Sequence, residues 1–139
     1  MEFFESSITF DKRMEDGITK RVTSQYVLNA LSCTEAEAKT LECVKPYLSG
    51  DCSVISAKQS KITEAFRSED GDGDWWKVKC SFITEDEKTG NEKRTPYLYI
   101  VQAIEIQEAI ATFNRGMKGT MVDYDIESVS LTKIVDVFN

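Results

Sequence analysis

The chain carries KRVTSQYVLNALSCTEA at residues 20–36 and KRTPYLYIVQAIEIQEA at residues 93–109. Both stretches begin with Lys-Arg, hold a tyrosine and an alanine at the same places, and end in Glu-Ala, all at a spacing of 73 positions. Self-similarity at a fixed spacing indicates that one supersecondary unit occurs more than once. The pattern therefore predicts a tandem duplication.

The correspondence continues on both sides of these stretches, where the spacing is 72. The matching pairs are Phe3-Phe4 with Trp75-Trp76, Phe10 with Phe82, Lys61-Ile62 with Lys133-Ile134, and Phe66 with Phe138. We expect a single domain, residues 1–139, made of two repeats at about 2–67 and 74–139. The polar segment 68–74 is the expected linker.

Each repeat reads as two strands, a helix and a closing strand. Apolar residues alternate before a glycine-containing turn, and a second segment rich in β-forming residues follows it. Ser32 to Glu35 has the form of a capping box at the start of a helix. The closing segments are 52–63 and 125–138, and their ends fit either a strand or a helical turn. One helix cannot cover both faces of such a sheet, so two units should pack together. The prediction is an α+β fold of two ββαβ units with pseudo-two-fold symmetry, two helices and a mainly antiparallel sheet.

Composition argues against several kinds of chemistry. Seventeen basic and 24 acidic side chains give a net charge of −7, which disfavours nonspecific binding to nucleic acid or anionic lipid. The chain has no histidine, the usual general base of Ser-His-Asp and Cys-His hydrolases. Its four cysteines form no Cys-x-x-Cys pair, and no glycine-rich phosphate loop is present. We predict a protein that is not an enzyme, with no catalytic residue, metal or cofactor.

Two absences bear on location. No apolar run approaches the roughly 20 residues that a membrane helix needs. Residues 1–5 lack the basic and apolar regions that are typical of a secretion signal. We expect a cytoplasmic protein without membrane attachment, present as a monomer or homodimer.

Basic residues concentrate on the two predicted hairpins. Lys77 and Lys79 alternate with Trp76 and Val78, and should therefore project from the same strand face as Trp75. Cations beside an aromatic ring are typical of a surface that binds single-stranded nucleic acid. Acidic residues in the same turns also fit an ordinary solvated hairpin, and both interpretations stay open. The candidate binding surface is Trp75, Lys77, Lys79, Lys93, Arg94, Lys20 and Arg21.

Three blocks carry a resemblance to a known family: YVLNALSCTEAEA at 26–38, DWWKVK at 74–79 and RGMKGTMVDY at 115–124. They resemble small uncharacterised proteins from gut Bacteroidales genomes and their phages, catalogued only as a domain of unknown function. The similarity extends over nearly the whole chain. It implies a protein of phage or mobile-element type, and it brings no catalytic residues with it.

The leading hypothesis is a non-enzymatic protein that acts by binding a macromolecule, with another protein as the expected partner. It rests on the missing catalytic and cofactor signatures together with an acidic surface, which would speed encounter with a basic partner. The first alternative is a single-stranded nucleic-acid-binding protein that uses the basic hairpins and Trp75. The second is a small-molecule or nucleotide-binding protein with a pocket between the repeats.

Overall fold

A computed structural model describes residues 2–48 and 50–139, which form two α-helices, one short 3-10 helix and eight β-strands. The α+β class, the two helices and the mainly antiparallel sheet are confirmed. The elements are β1 (Glu2–Arg13), β2 (Thr19–Ala30), α1 (Cys33–Val44), the 3-10 helix (Lys45–Tyr47), β3 (Cys52–Gln59), β4 (Ile62–Phe66), β5 (Asp74–Glu85), β6 (Glu92–Ala103), α2 (Ile106–Gly116), β7 (Asp123–Leu131) and β8 (Ile134–Phe138).

The strands form two four-stranded sheets, one in each of two compact units. Unit 1 consists of Met1–Ser60 and Lys133–Asn139, and its strand order is β3-β1-β2-β8. Unit 2 consists of Lys61–Thr132, and its strand order is β4-β6-β5-β7. In each sheet three long strands are antiparallel, and a five-residue strand lies parallel at one edge.

The closing segment of each repeat is two strands where one was expected. β3 ends in unit 1, and β4, which begins three residues later, belongs to the sheet of unit 2. In the second half, β7 lies in unit 2, and β8, which follows it, belongs to the sheet of unit 1. The segments 62–66 and 134–138, which fitted a strand or a helical turn, are both strands. A polar pair of residues separates the strands at each crossing, and the backbone N–H groups of Ser60 and Thr132 donate to carbonyls of β1 and β5. The two units thus exchange β4 and β8, which we name the exchanged strands.

Equivalent details recur in the two units. A bulge interrupts the pairing of β1 with β3 between Ser7 and Ile8, and that of β5 with β7 between Lys79 and Cys80, 72 positions later. At the start of α1, Glu35 accepts a hydrogen bond from the N–H of Leu31 and Ser32 accepts one from Glu35. The hydroxyl bond of the predicted capping box is therefore confirmed, whereas the carboxylate accepts from the residue before the N-cap and not from the N-cap itself. At α2, Glu108 accepts from the N–H of Ile104, and Glu105 occupies the N-cap without a side-chain bond.

The core of unit 2 is aromatic. Phe113, on the buried face of α2, contacts the rings of Phe66, Tyr99 and Tyr124. Burial raises the pKa of Tyr99 to about 12. In unit 1 the corresponding contact between aromatic rings is that of Tyr26 with Phe138, whose centroids are 5.4 Å apart. In each unit the exchanged strand thus supplies an aromatic side chain to the core.

Ser6 in β1 is buried, and no donor or acceptor among the described residues bonds its hydroxyl. A buried polar group without a partner costs about 1–3 kcal/mol, because it loses its hydrogen bonds to water and gains none. Alanine removes the hydroxyl without adding volume. We therefore expect Ser6→Ala to raise the free energy of unfolding by about 1 kcal/mol in urea denaturation.

Ser68→Ala is the matched control. Ser68 is also buried, but its hydroxyl donates to the carbonyl of Asp72 at 2.8 Å. Its removal should lower the free energy of unfolding by about 0.5–1.5 kcal/mol, because a satisfied hydrogen bond is lost. The two variants should shift stability in opposite directions, and a destabilised Ser6→Ala would contradict the assignment.

Candidate functional site

A groove of about 420 Å³ lies in unit 2, on the sheet face opposite α2. Val78 packs in the core with Phe113, and side chains alternate along a strand, so Lys77 and Lys79 point to the opposite face. Leu98 of β6 lies directly across from Lys79 and shares that face. The groove is lined by Lys61, Thr63, Lys77, Lys79, Pro96, Tyr97 and Leu98.

The three lysines of the groove are exposed and lack acidic partners. No ion pair within the described part of the chain involves Lys61, Lys77 or Lys79. Three ammonium groups therefore surround one small concavity without a carboxylate in ion-pair contact, and the carboxylates of Asp125 and Glu127 in the same sheet are bound to Arg94. We name this site the lysine groove.

The floor between the lysines is apolar. Leu98 is half-buried, and Pro96 is exposed beside it. The ring of Tyr97, which is 37% exposed, lies on the other face of the sheet and packs there against Phe82 with centroids 4.5 Å apart. Apolar floor and charged rim together suit a ligand that carries both carboxylates and aliphatic side chains.

The structure corrects the expectation that Trp75 presents an open ring. Trp75 does share a strand face with the two lysines, but it is only 1% exposed. The guanidinium of Arg67 lies 5.5 Å from the centroid of its ring. Alternation along a strand predicts which face a side chain occupies, and not whether that part of the face is covered. Trp75 is therefore a buried residue and offers no stacking surface.

The candidate residues of the two hairpins are not among the residues that line the lysine groove. Lys20 and Arg21 belong to unit 1, where Arg21 donates to Thr9 at 2.9 Å and to Asp11 at 3.3 Å. Lys93, near the start of β6, is exposed and lies across from Thr84 of β5. The sequence candidates that the structure brings together in the groove are Lys77 and Lys79.

Arg94 of unit 2 is held by carboxylates of β7. Its guanidinium lies 3.0 Å from Asp125 and 3.6 Å from Glu127. The hydrogen bond to Asp125 raises the pKa of Arg94. This charge is compensated within the chain, unlike the charges of the groove lysines.

The groove includes residues that the sequence did not single out. Lys61 and Thr63 reach it because β4 crosses into the sheet of unit 2 and pairs with β6. Pro96 and Leu98 reach it because β6 lies next to β5. The sequence shows Lys61 next to Ile62, which begins a segment that fits a strand or a helical turn. It does not show that this segment pairs with β6, and without that pairing Lys61 cannot be assigned to the groove.

The corresponding face of unit 1 carries different charges. Glu5 and Ser7 stand where unit 2 has Lys77 and Lys79. The cavity there is about 100 Å³ and includes Glu5, Ser7 and Lys58 in its lining. The lysine groove is therefore a property of unit 2.

Other chemistry finds little support in the described residues. Within residues 2–48 and 50–139, no three His, Cys, Asp or Glu side chains are grouped to hold a metal ion. The four cysteines are free thiols: Cys33 is exposed, Cys43 and Cys52 are half-buried, and Cys80 is buried. Burial raises the pKa of the Cys80 thiol, which disfavours the reactive thiolate. Neither α1 nor α2 is long and apolar enough to cross a membrane.

Comparison with known proteins identifies a family. Residues 2–139 match the family described as "Domain of unknown function (DUF4494)". No curated protein and no solved structure has significant similarity to the chain. The match extends over nearly all of the sequence, and the expected membership of an uncharacterised family is confirmed. The chain belongs to the family of domain of unknown function DUF4494.

Proposed function

We propose that this protein is a non-enzymatic binding protein whose lysine groove binds an acidic segment of a partner protein. The observation that carries the proposal is the set of three exposed lysines without carboxylate partners around an apolar floor. Glutamate and aspartate side chains of a partner would supply the missing counter-charges. Aliphatic side chains of the same segment would cover Pro96 and Leu98.

A protein partner fits the groove better than single-stranded nucleic acid. Nucleic-acid grooves combine cations with aromatic rings on which bases stack. Here Trp75 is buried, and the ring of Tyr97 packs against Phe82. The net charge of −7 also opposes a long polyphosphate, whereas a short acidic segment meets only the local charge. Nucleic acid remains the alternative that the experiment must separate.

We also propose that the chain arose by duplication of one unit and keeps a pseudo-two-fold arrangement of its repeats. Equal lengths of β1 and β5, and of β2 and β6, support this origin. So do the two bulges at a spacing of 72 and the two glutamates that accept from the residue before each N-cap. On this proposal the groove is a later specialisation, because Glu5 and Ser7 of the first repeat correspond to the two lysines.

The charge-reversing variant Lys77→Glu with Lys79→Glu tests the proposed function. The probe is a fluorescein-labelled peptide of Glu-Thr repeated five times, with binding followed by fluorescence anisotropy at low salt. We expect the variant to bind the peptide about tenfold more weakly or worse, since two attractive charges become repulsive. Binding to the native protein should also weaken as salt is raised.

Lys12→Glu with Lys20→Glu is the matched control, because it changes the net charge equally on exposed residues of unit 1. It should bind the peptide almost as well as the native protein does. Equal losses in both variants would mean that net charge, and not the groove, attracts the peptide. Tighter binding of an oligothymidylate than of the peptide would favour the nucleic-acid alternative.

A further inference from the structure

One edge of the sheet in unit 2 is only half paired. β6 runs from Glu92 to Ala103, and β5 pairs with it over its whole length. On the other side β4 pairs only with Leu98–Val101. Among the described residues, no strand pairs with the outer side of Glu92–Tyr97. We name this segment the free edge of β6.

The free edge is accessible. Its residues are exposed except for Thr95, which is half-buried. Pro96 lies within it, and proline is tolerated in a strand where its missing N–H faces no partner strand. Unpaired backbone groups along an exposed strand can receive an added strand, and those that face outward here are the N–H and C=O groups of Glu92 and Arg94 and the C=O of Pro96. Six residues at about 3.4 Å each offer roughly 20 Å of such backbone.

The free edge adjoins the lysine groove. Pro96 and Tyr97 belong to both, and Lys61 stands next to the first residue of β4. β4 runs parallel to β6 from Leu98 onward, so the chain enters β4 through Lys61 at the end nearer the hairpin, and a strand added along the free edge would end next to Lys61. Neighbouring strands lie about 4.8 Å apart, so glutamate side chains of the added strand could reach across β6 toward Lys79.

We infer that the free edge of β6 receives an extended acidic segment of a partner protein as an added strand. The inference rests on the proposed function and specifies how that partner binds. Main-chain hydrogen bonds to Glu92–Tyr97 would supply affinity. The lysine groove would supply specificity by selecting carboxylates at alternate positions of the segment.

Charge favours this occupant over a second copy of the chain. Lys93 on the free edge repels other basic strands and attracts carboxylates, while Glu92 beside it already lies 3.9 Å from Arg94. The acidic edge strand that another copy could offer is β7, but Asp125 and Glu127 of β7 are already bound to Arg94. A foreign acidic strand brings carboxylates that no arginine has neutralised.

Unit 1 has a half-paired strand edge that can be compared with the free edge of β6. In unit 1, β8 pairs with β2 only from Gln25 onward, so the segment Thr19–Ser24 is a second half-paired edge. The face beside it carries Glu5 and Ser7 in place of the two lysines. An acidic strand should therefore choose the free edge of β6 over Thr19–Ser24.

The experiment uses the full chain with two forms of the same probe. The first is the Glu-Thr peptide, and the second is that peptide methylated at alternate backbone nitrogens, which keeps its charge and removes hydrogen-bond donors. We expect methylation to weaken binding about tenfold or more. Amide hydrogen exchange followed by NMR should slow about tenfold at Glu92 and Arg94, whose N–H groups face the free edge, on binding of the first peptide, and stay unchanged within 19–24.

The outcomes separate strand addition from the proposed function. Equal binding of both peptides, together with loss of binding in Lys77→Glu with Lys79→Glu, would keep the groove and overturn strand addition. Failure of the native protein to bind either peptide would overturn both. Protection within 19–24 in place of 92–97 would also overturn the inference, as would binding of oligothymidylate alone or a peptide-independent dimer joined at residues 92–97.

Discussion

Phe113→Ala is expected to lower the free energy of unfolding by about 3–5 kcal/mol, the usual cost of truncating a fully buried phenylalanine. Phe113 is 0% exposed, at the centre of the aromatic core of unit 2. Its ring meets Tyr99 and Tyr124 edge-on, with centroids 5.3 and 5.5 Å away. Alanine would remove these contacts and leave a cavity that three rigid rings cannot close.

The effect should extend to the exchanged strand. The ring of Phe66 in β4 also contacts Phe113, at 6.2 Å between centroids. β4 has only five residues, so its place in the sheet of unit 2 depends strongly on such side-chain contacts. In Phe113→Ala we therefore expect amide hydrogen exchange of residues 62–66 to accelerate more than that of β5.

Denaturation by urea, followed by circular dichroism, measures the loss of stability. Ile106→Ala is the control on the same helix, because Ile106 is 45% exposed and alanine favours helix more than isoleucine does. It should change stability by no more than about 0.5 kcal/mol. A loss below about 1.5 kcal/mol in Phe113→Ala would show that the ring is not packed as described.

Gly73→Ala is expected to cost about 2–5 kcal/mol. Gly73 has a φ of +114°, a conformation that L-residues rarely adopt. A Cβ at this position would stand 2.4 Å from the carbonyl carbon of Ala103 and 2.5 Å from its oxygen. Backbone strain of about 1–2 kcal/mol and overpacking of about 1–3 kcal/mol add together there, because the obstacle is main chain and cannot rotate away.

Gly71→Ala separates the cost of backbone strain from the cost of overpacking. Gly71 also has a positive φ, of +73°, but among the described residues nothing beyond its chain neighbours lies within 4 Å of where a Cβ would stand. The substitution should therefore cost only the strain, about 1 kcal/mol. Thermal unfolding followed by circular dichroism compares the two variants. Equal losses would contradict the close approach of Gly73 to Ala103.

Local features of the fold were predictable from sequence. Alternating apolar residues predicted β5, and the capping box at Ser32 and Glu35 predicted the start of α1. These features depend on residues close together in the chain, where periodicity and hydrogen-bonding chemistry are informative. β1 and β5 begin 72 positions apart and β2 and β6 begin 73 positions apart, which are the two spacings read from the sequence.

The partner of a strand was not predictable in the same way. The pattern around Ile62 fits a strand, but the sequence of a five-residue strand does not show which sheet that strand joins. The crossing of β4 brings Lys61 to Lys77 and Lys79, so the complete lysine groove could not be found before the pairing was known. Exposure of Trp75 failed as a prediction for a related reason, because long-range packing decides which part of a sheet face is covered.

The exchanged strands also affect how the chain folds during its synthesis. The sheet of unit 1 takes β8 as its edge strand, although β2, the neighbour of β8, is translated about a hundred residues earlier. At about 5–20 residues per second, the ribosome makes β8 on the order of 5–20 s after β2. Unit 2, whose residues are contiguous, has all its strands earlier, so the half translated first is the half completed last.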